Sequence, residues 1–281
     1  YPIGAVLSGL TFASLLPAYG WRHIFEWAGI ATLITIPLII FFLGESLDFL
    51  LRTQPPNALK RINLLMRKMR MPLLNELPVL SADDNRKNTV SSLMVPLLKQ
   101  ATLKLWLGIF MCFATLYFLT SWIPKLASIN GMSVSLAIYA GTIFNLGAFA
   151  GIVTQGFLSV KFGLRQTITG FLFLTALFMI AFGYFSSPVA ILIMIGLIGF
   201  GIQGGFVGLY SLAAAIYPTK IRATGVGWAI GLGRAGAIIG PVIGGILIKG
   251  GMHMSATFFI FSIPLLAGAV ATFFNELPEE V

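Results

Sequence analysis

Arg234 stands in an otherwise charge-free stretch between Arg222 and Lys249. Taken as helix, it lies about 18 Å from the first and about 22 Å from the second at roughly 1.5 Å per residue, near the middle of a bilayer if the stretch spans one. A guanidinium at that depth is unfavourable by roughly 3 kcal/mol on insertion scales, so it calls for a partner. That partner is either a carboxylate on a neighbouring helix, or an anionic ligand whose carboxylate the planar fork grips bidentately. Other polar residues also lie inside apolar runs: Thr115, Tyr117, Ser121, Trp122, Asn145, Gln155, Gln203 and Tyr210. A pocket for a flat aromatic acid needs a ring to stack on and a few hydrogen bonds. Tyr117 and Trp122 offer the first, Asn145 and Gln203 the second. Trp122 has a competing explanation, because tryptophan gathers at membrane interfaces.

Enzyme chemistry finds little support. His23 and His253 have no acidic or cysteine neighbours at metal spacing, and no phosphate-cradling loop or serine beside a base is present. Cys112 is the single cysteine, which excludes an intrachain disulfide. No cofactor or metal is called for.

The elements that must position these residues follow from composition. Of 281 residues, 57% are hydrophobic and 10% charged, with a mean hydropathy of +0.93. A soluble domain carries about 25% charged residues, so a water-soluble globule is excluded. The apolar runs are long and unbroken, which favours spanning helices over the alternating strands of a barrel. Charge-free intervals place spans at 1–21, 27–44 and 105–124, and a fourth that follows the polar break at 128–131 and ends near Val160. Residues 166–219 carry no charge, roughly 80 Å as helix against a bilayer core of about 30 Å, so they must fold back, with Gly183–Pro188 as the hairpin. Spans at about 223–248 and 254–274 bring the expected number to eight.

The net charge of +9 comes from 18 Lys+Arg against 9 Asp+Glu. In a membrane protein the placement of that excess marks sidedness rather than nucleic acid as a partner. One side gathers the basic residues of the 46–102 connection with Lys104, Lys161, Arg165, Lys220 and Arg222; the other keeps Arg22, Lys125 and Lys249. The first side is therefore read as cytoplasmic, with both chain ends on it. Arg22 and Glu26 are four apart and form an expected companion pair. In the long connection, Leu59, Ile62, Met66 and Met69 recur at helical spacing beside basic residues, predicting an amphipathic helix attracted to anionic lipid.

Small residues recur at four-residue intervals: Gly236, Gly240 and Gly244 on the Arg234 helix, Gly147 and Gly151 on the fourth span, Gly204 and Gly208 on the sixth. Such stripes let helices approach closely, and would also let them slide.

Several segments together resemble the major facilitator superfamily and, within it, the aromatic acid:proton symporters. They are Gly20-Trp21-Arg22, Glu45-Ser46, Ser121-Trp122-Ile123-Pro124, Gly131-Met132-Ser133, Tyr217-Pro218-Thr219-Lys220-Ile221-Arg222-Ala223-Thr224-Gly225, Gly233-Arg234-Ala235-Gly236 and Gly240-Pro241. The resemblance implies an all-α helical bundle, with the chain as helices five to twelve of a twelve-helix porter. Residues 1–45 would be the last two helices of an N-terminal half, 46–102 a cytoplasmic linker, and 103–281 the C-terminal six-helix half. It further implies proton-coupled uptake of aromatic carboxylates such as hydroxybenzoate through the inner membrane by alternating access, as a monomer, with the organic anion, the proton and membrane lipid as partners. Arg234, Tyr117, Trp122, Asn145 and Gln203 would bind substrate. Gly156, Lys161, Gly163, Arg165, Tyr217, Pro218 and Arg222 would form the cytoplasmic gate and loops. Other organic anions (a dicarboxylate, nicotinate) remain as cargo, and a non-transporting scaffold or channel remains as another class. The family's loop pattern Gly-x-Leu-x-Asp-x-x-Gly-x-Arg reads here Gly156-Phe157-Leu158-Ser159-Val160-Lys161-Phe162-Gly163-Leu164-Arg165, with Val160 in the acid's place.

Overall fold

The structure, a computed structural model, describes residues 2–42, 45, 47–78, 90–129, 134–185, 187–218 and 221–275. Ser46, Gly131-Met132-Ser133 and Thr219-Lys220 of the resemblance lie outside the described residues. The helices are α1 (Pro2–Phe42), α2 (Leu47–Thr53), α3 (Ala58–Lys68), α4 (Pro96–Ile129), α5 (Val134–Phe162), α6 (Leu164–Ala181), α7 (Pro188–Ile216), α8 (Arg222–Lys249) and α9 (Met254–Phe273). Seven described helical segments are long and apolar enough to cross a membrane, and Pro2–Phe12 is a shorter apolar one.

Where a turn at residues 20–23 was expected to separate the first two spans, α1 carries a break at Gly20 alone, with φ 71° and ψ 168°. A left-handed φ is open to glycine without a Cβ clash. Trp21, Arg22 and His23 already belong to the following helical segment. The expected Arg22–Glu26 pairing gives way to Arg22 lying 4.7 Å over the Trp21 ring, a contact that keeps the charge by an aromatic face.

The chain divides into two compact units, residues 18–87 and residues 1–17 with 88–281. In the first, α3 buries Ala58, Ile62 and Met66 against Leu50, Leu47, Leu51 and Leu74. Its apolar stripe is thus largely covered from within this unit; Met69, expected on the stripe, is exposed. Asn63 clamps the following segment by donating to the Leu74 carbonyl and accepting from its N–H, both at 2.9 Å. Arg61 pairs with Glu45 at 2.9 Å.

In the second unit α4 packs on α8 and α9, α5 on α7, and α6 on α7 and α9. Lipid tails are as apolar as leucine, so close packing rather than hydrophobicity must hold such helices together. The glycines supply it. A Cβ on Gly236 or Gly240 would run into the carbonyls of Phe110 and Ala114 on α4, and one on Gly147 or Gly151 into those of Gly196 and Phe200 on α7. Gly244 faces the Phe118 ring. Phe118 stacks on Phe261 at 3.8 Å, and Phe182 on Phe258 at 4.4 Å. Large apolar side chains such as Phe157, Ile238 and Ile246 stay exposed, as suits helices whose outer faces meet hydrocarbon.

Candidate functional site

Three helices contribute to a cavity of about 240 Å³: Leu116, Tyr117 and Thr120 from α4, Gln203, Phe206 and Tyr210 from α7, and Arg234 from α8. Helical periodicity explains the grouping. Residues three, four and seven apart share a face, which puts Gln203, Phe206 and Tyr210 in one row and Tyr117 beside Thr120. The volume is below the roughly 300–1,000 Å³ of drug-sized pockets and is enough to admit a single ring.

Arg234 is exposed and donates from Nη1 to the Tyr117 hydroxyl at 3.1 Å. Its Cζ lies 5.7 Å from the Phe113 ring centroid, and Phe113 stacks on Tyr117 with 9° between the planes. Phe206 meets Phe113 edge-on at 4.8 Å and Tyr210 at 5.0 Å. The cation is therefore held by a phenol and aromatic faces, both attractive but neutral. Among the described residues no carboxylate comes within ion-pair distance of it. Such a group retains most of its capacity to take an anion.

The other sequence candidates separate. Gln203 lines the cavity, 5% exposed. Trp122 does not. It lies over Gly244 and Gly245, and its indole N–H donates to the Pro241 carbonyl at 3.1 Å. The reason is rotation: five residues beyond Tyr117 is about 140° around the helix at 3.6 residues per turn. Trp122→Phe is expected to lower stability by about 1 kcal/mol, the worth of one hydrogen bond, read as a lower unfolding midpoint in detergent. Asn145 likewise stays off the cavity, its amide donating to the Gly141 carbonyl of its own helix at 2.9 Å.

The loop candidates lie elsewhere. Gly163 links α5 to α6 with φ 86°, and Gly156 has open space around it. Lys161 is exposed, its Nζ 5.2 Å over the Phe162 ring, and Val160 is 89% exposed with no acid to contribute. Arg165 donates to the Asn275 carbonyl at 3.1 Å, and Lys104 to that of Phe274 at 2.7 Å. Two cations thus cap the C-terminal end of α9, where the helix dipole is negative. Asn275, not singled out in the sequence, is buried and donates to the Ala101 carbonyl at 3.1 Å. The Tyr217 ring is buried against Gly225, where any Cβ would strike it. Its hydroxyl donates to Thr102 at 3.2 Å, while Arg222 bonds its carbonyl at 3.3 Å. Pro218 accepts the Ile221 N–H at 3.0 Å, turning the chain into α8.

Comparison with known proteins gives a consistent family. The model of the Major Facilitator Superfamily matches residues 105–281. The chain is 31% identical to the 4-hydroxybenzoate transporter PcaK of Acinetobacter baylyi, over 99% of this chain and 62% of that protein. It is 29% identical to the gallate transporter of Pseudomonas putida, over 98% of this chain and 62% of that one. It thus spans less than two thirds of the length of these relatives. Among solved structures, a bacterial homologue of the human lysosomal transporter Spinster, inward-facing and unoccupied, shares the fold with a TM-score of 0.54 at 18% identity, covering 98% of this chain and 66% of that one.

Proposed function

Starting from the fact that this chain belongs to the Major Facilitator Superfamily and so to a multi-pass membrane protein, we propose that it serves a secondary active transporter taking up aromatic carboxylates together with protons. Arg234 would seat the carboxylate, and Tyr117 with Phe206 would flank the ring. The observation that carries this is a guanidinium on an aromatic-lined, one-ring cavity with no carboxylate partner among the described residues. The relatives support it, being transporters of 4-hydroxybenzoate, benzoate and gallate. Movement would be alternating access about a midplane site, in the inner membrane with the basic loops cytoplasmic and the protein monomeric. Proton coupling is what the resemblance to the aromatic acid:proton symporters implies.

Counterflow in proteoliposomes tests this. Labelled 4-hydroxybenzoate should accumulate transiently against unlabelled acid inside, whereas a scaffold gives no exchange and a channel no overshoot. Tyr117→Phe removes the hydroxyl that Arg234 now holds. It is expected to change the apparent affinity for the acid by about threefold to tenfold, the range of one hydrogen bond, with the maximal rate largely kept.

A further inference from the structure

Gln203 is 5% exposed and lines the cavity, yet its amide has no hydrogen-bond partner among the described residues. Among the described residues the sealed, unpartnered side-chain atoms are Trp106 Nε1 and Asn275 Oδ1. Gln203 is not one of them, so its amide keeps access to space, and the cavity is the space it lines. An amide that opens only onto the cavity is hydrated while the cavity is empty, and a ligand's polar group can take the place of that water.

We infer that Gln203 is the specificity-determining residue of this site, recognising a ring hydroxyl, and that the cargo is a hydroxylated single-ring carboxylate rather than the bare aromatic acid. This rests on the carboxylate-at-Arg234 reading above. Arg234 is the single cation among the lining residues, so the cavity matches one carboxylate; a second charged group would find no counterion. The amide is neutral and carries both an acceptor and two donors. A phenolic hydroxyl fits it, donating to Oε1 and accepting from Nε2. Leu116, Phe206 and the Tyr117 ring supply apolar wall in the same cavity. A site that hydrogen-bonds a hydroxyl rejects the analogue lacking it far more strongly than an apolar pocket rejects a missing methylene, because the site's own polar group is stranded.

The test is equilibrium binding of 4-hydroxybenzoate, 3-hydroxybenzoate and benzoate to the purified full-length protein, unmodified and as Gln203→Leu and Gln203→Met. The unmodified protein should prefer at least one hydroxylated acid over benzoate by about tenfold or more. In both variants the hydroxylated acid that the unmodified protein prefers should weaken while benzoate tightens, bringing the ratio near one. A merely structural glutamine would weaken all three acids alike, and that result overturns the inference; so does an unmodified protein that binds benzoate as tightly as either hydroxylated acid. Arg234→Ala separates this from the underlying reading. If that variant loses affinity for every acid while the hydroxyl preference is absent from the unmodified protein, only the Gln203 inference fails. If it binds all three normally, the carboxylate reading fails and this inference falls with it. The unbranched Gln203→Met removes the amide without a branch point, so the outcome does not hang on how leucine packs on α7.

Discussion

Arg234→Ala is expected to lower uptake of 4-hydroxybenzoate by about 10- to 100-fold, the worth of charge-assisted hydrogen bonds to a carboxylate. The anion would lose its only cation among the cavity's lining residues and would have only neutral groups to face. Insertion should be unaffected, since alanine is more easily accommodated in a spanning helix than arginine. Membrane yield measured beside initial uptake rate separates the two effects. Arg234→Lys keeps the charge and loses the planar fork, so a partial loss is expected if the carboxylate is gripped through two nitrogens. Normal uptake by the alanine variant would remove Arg234 from the site.

Gly240→Leu is expected to prevent stable folding of the α4–α8 pair. A Cβ there lands on the backbone carbonyl of Ala114, an atom with no freedom to rotate away. Overpacking in a well-fitted core costs about 1–3 kcal/mol and more when backbone must move, and here the helices themselves would have to separate. Gly151, against the Phe200 carbonyl of α7, should behave alike. Gly231, with nothing within 4 Å, is the control: Gly231→Ala should match or slightly exceed the parent in thermal unfolding in detergent, since alanine is the better helix former. Equal stability of Gly240→Leu and the parent would contradict the close-approach account.

The spans were legible because membrane helices are bounded by charge. Lys161 and Lys249 both fall in last turns, and the long uncharged run is divided after Tyr184, before Pro188 opens α7. Arg234 was legible because a mid-span charge is expensive wherever it points. The facing of individual residues was less so. Gln203 and Trp122 are equally plausible as polar residues in apolar runs, and only the pairing of α4 with α8 sends Trp122 to Pro241 while Gln203 reaches the cavity. The i, i+3, i+7 row of Gln203, Phe206 and Tyr210 was present in the sequence as a signal, but it points nowhere until its neighbours are known. The break at Gly20 shows the same limit: residues 21–23 are polar and aromatic enough for a loop, yet they take helical backbone once glycine alone absorbs the bend. Asn275 carries no sequence signal at all, and its burial depends on α4 and α6 meeting the end of α9.

If the guanidinium of Arg234 draws a negative charge on the cargo, charge at constant shape should decide binding. The most direct measurement is titration of the purified protein with 4-hydroxybenzoate and with 4-hydroxybenzamide, which match in shape and hydroxyl but differ in charge. The acid should bind about 10- to 100-fold tighter than the amide, the worth of a charge-assisted pair, and Arg234→Ala should close most of that gap. Equal binding of acid and amide by the unmodified protein would contradict the account.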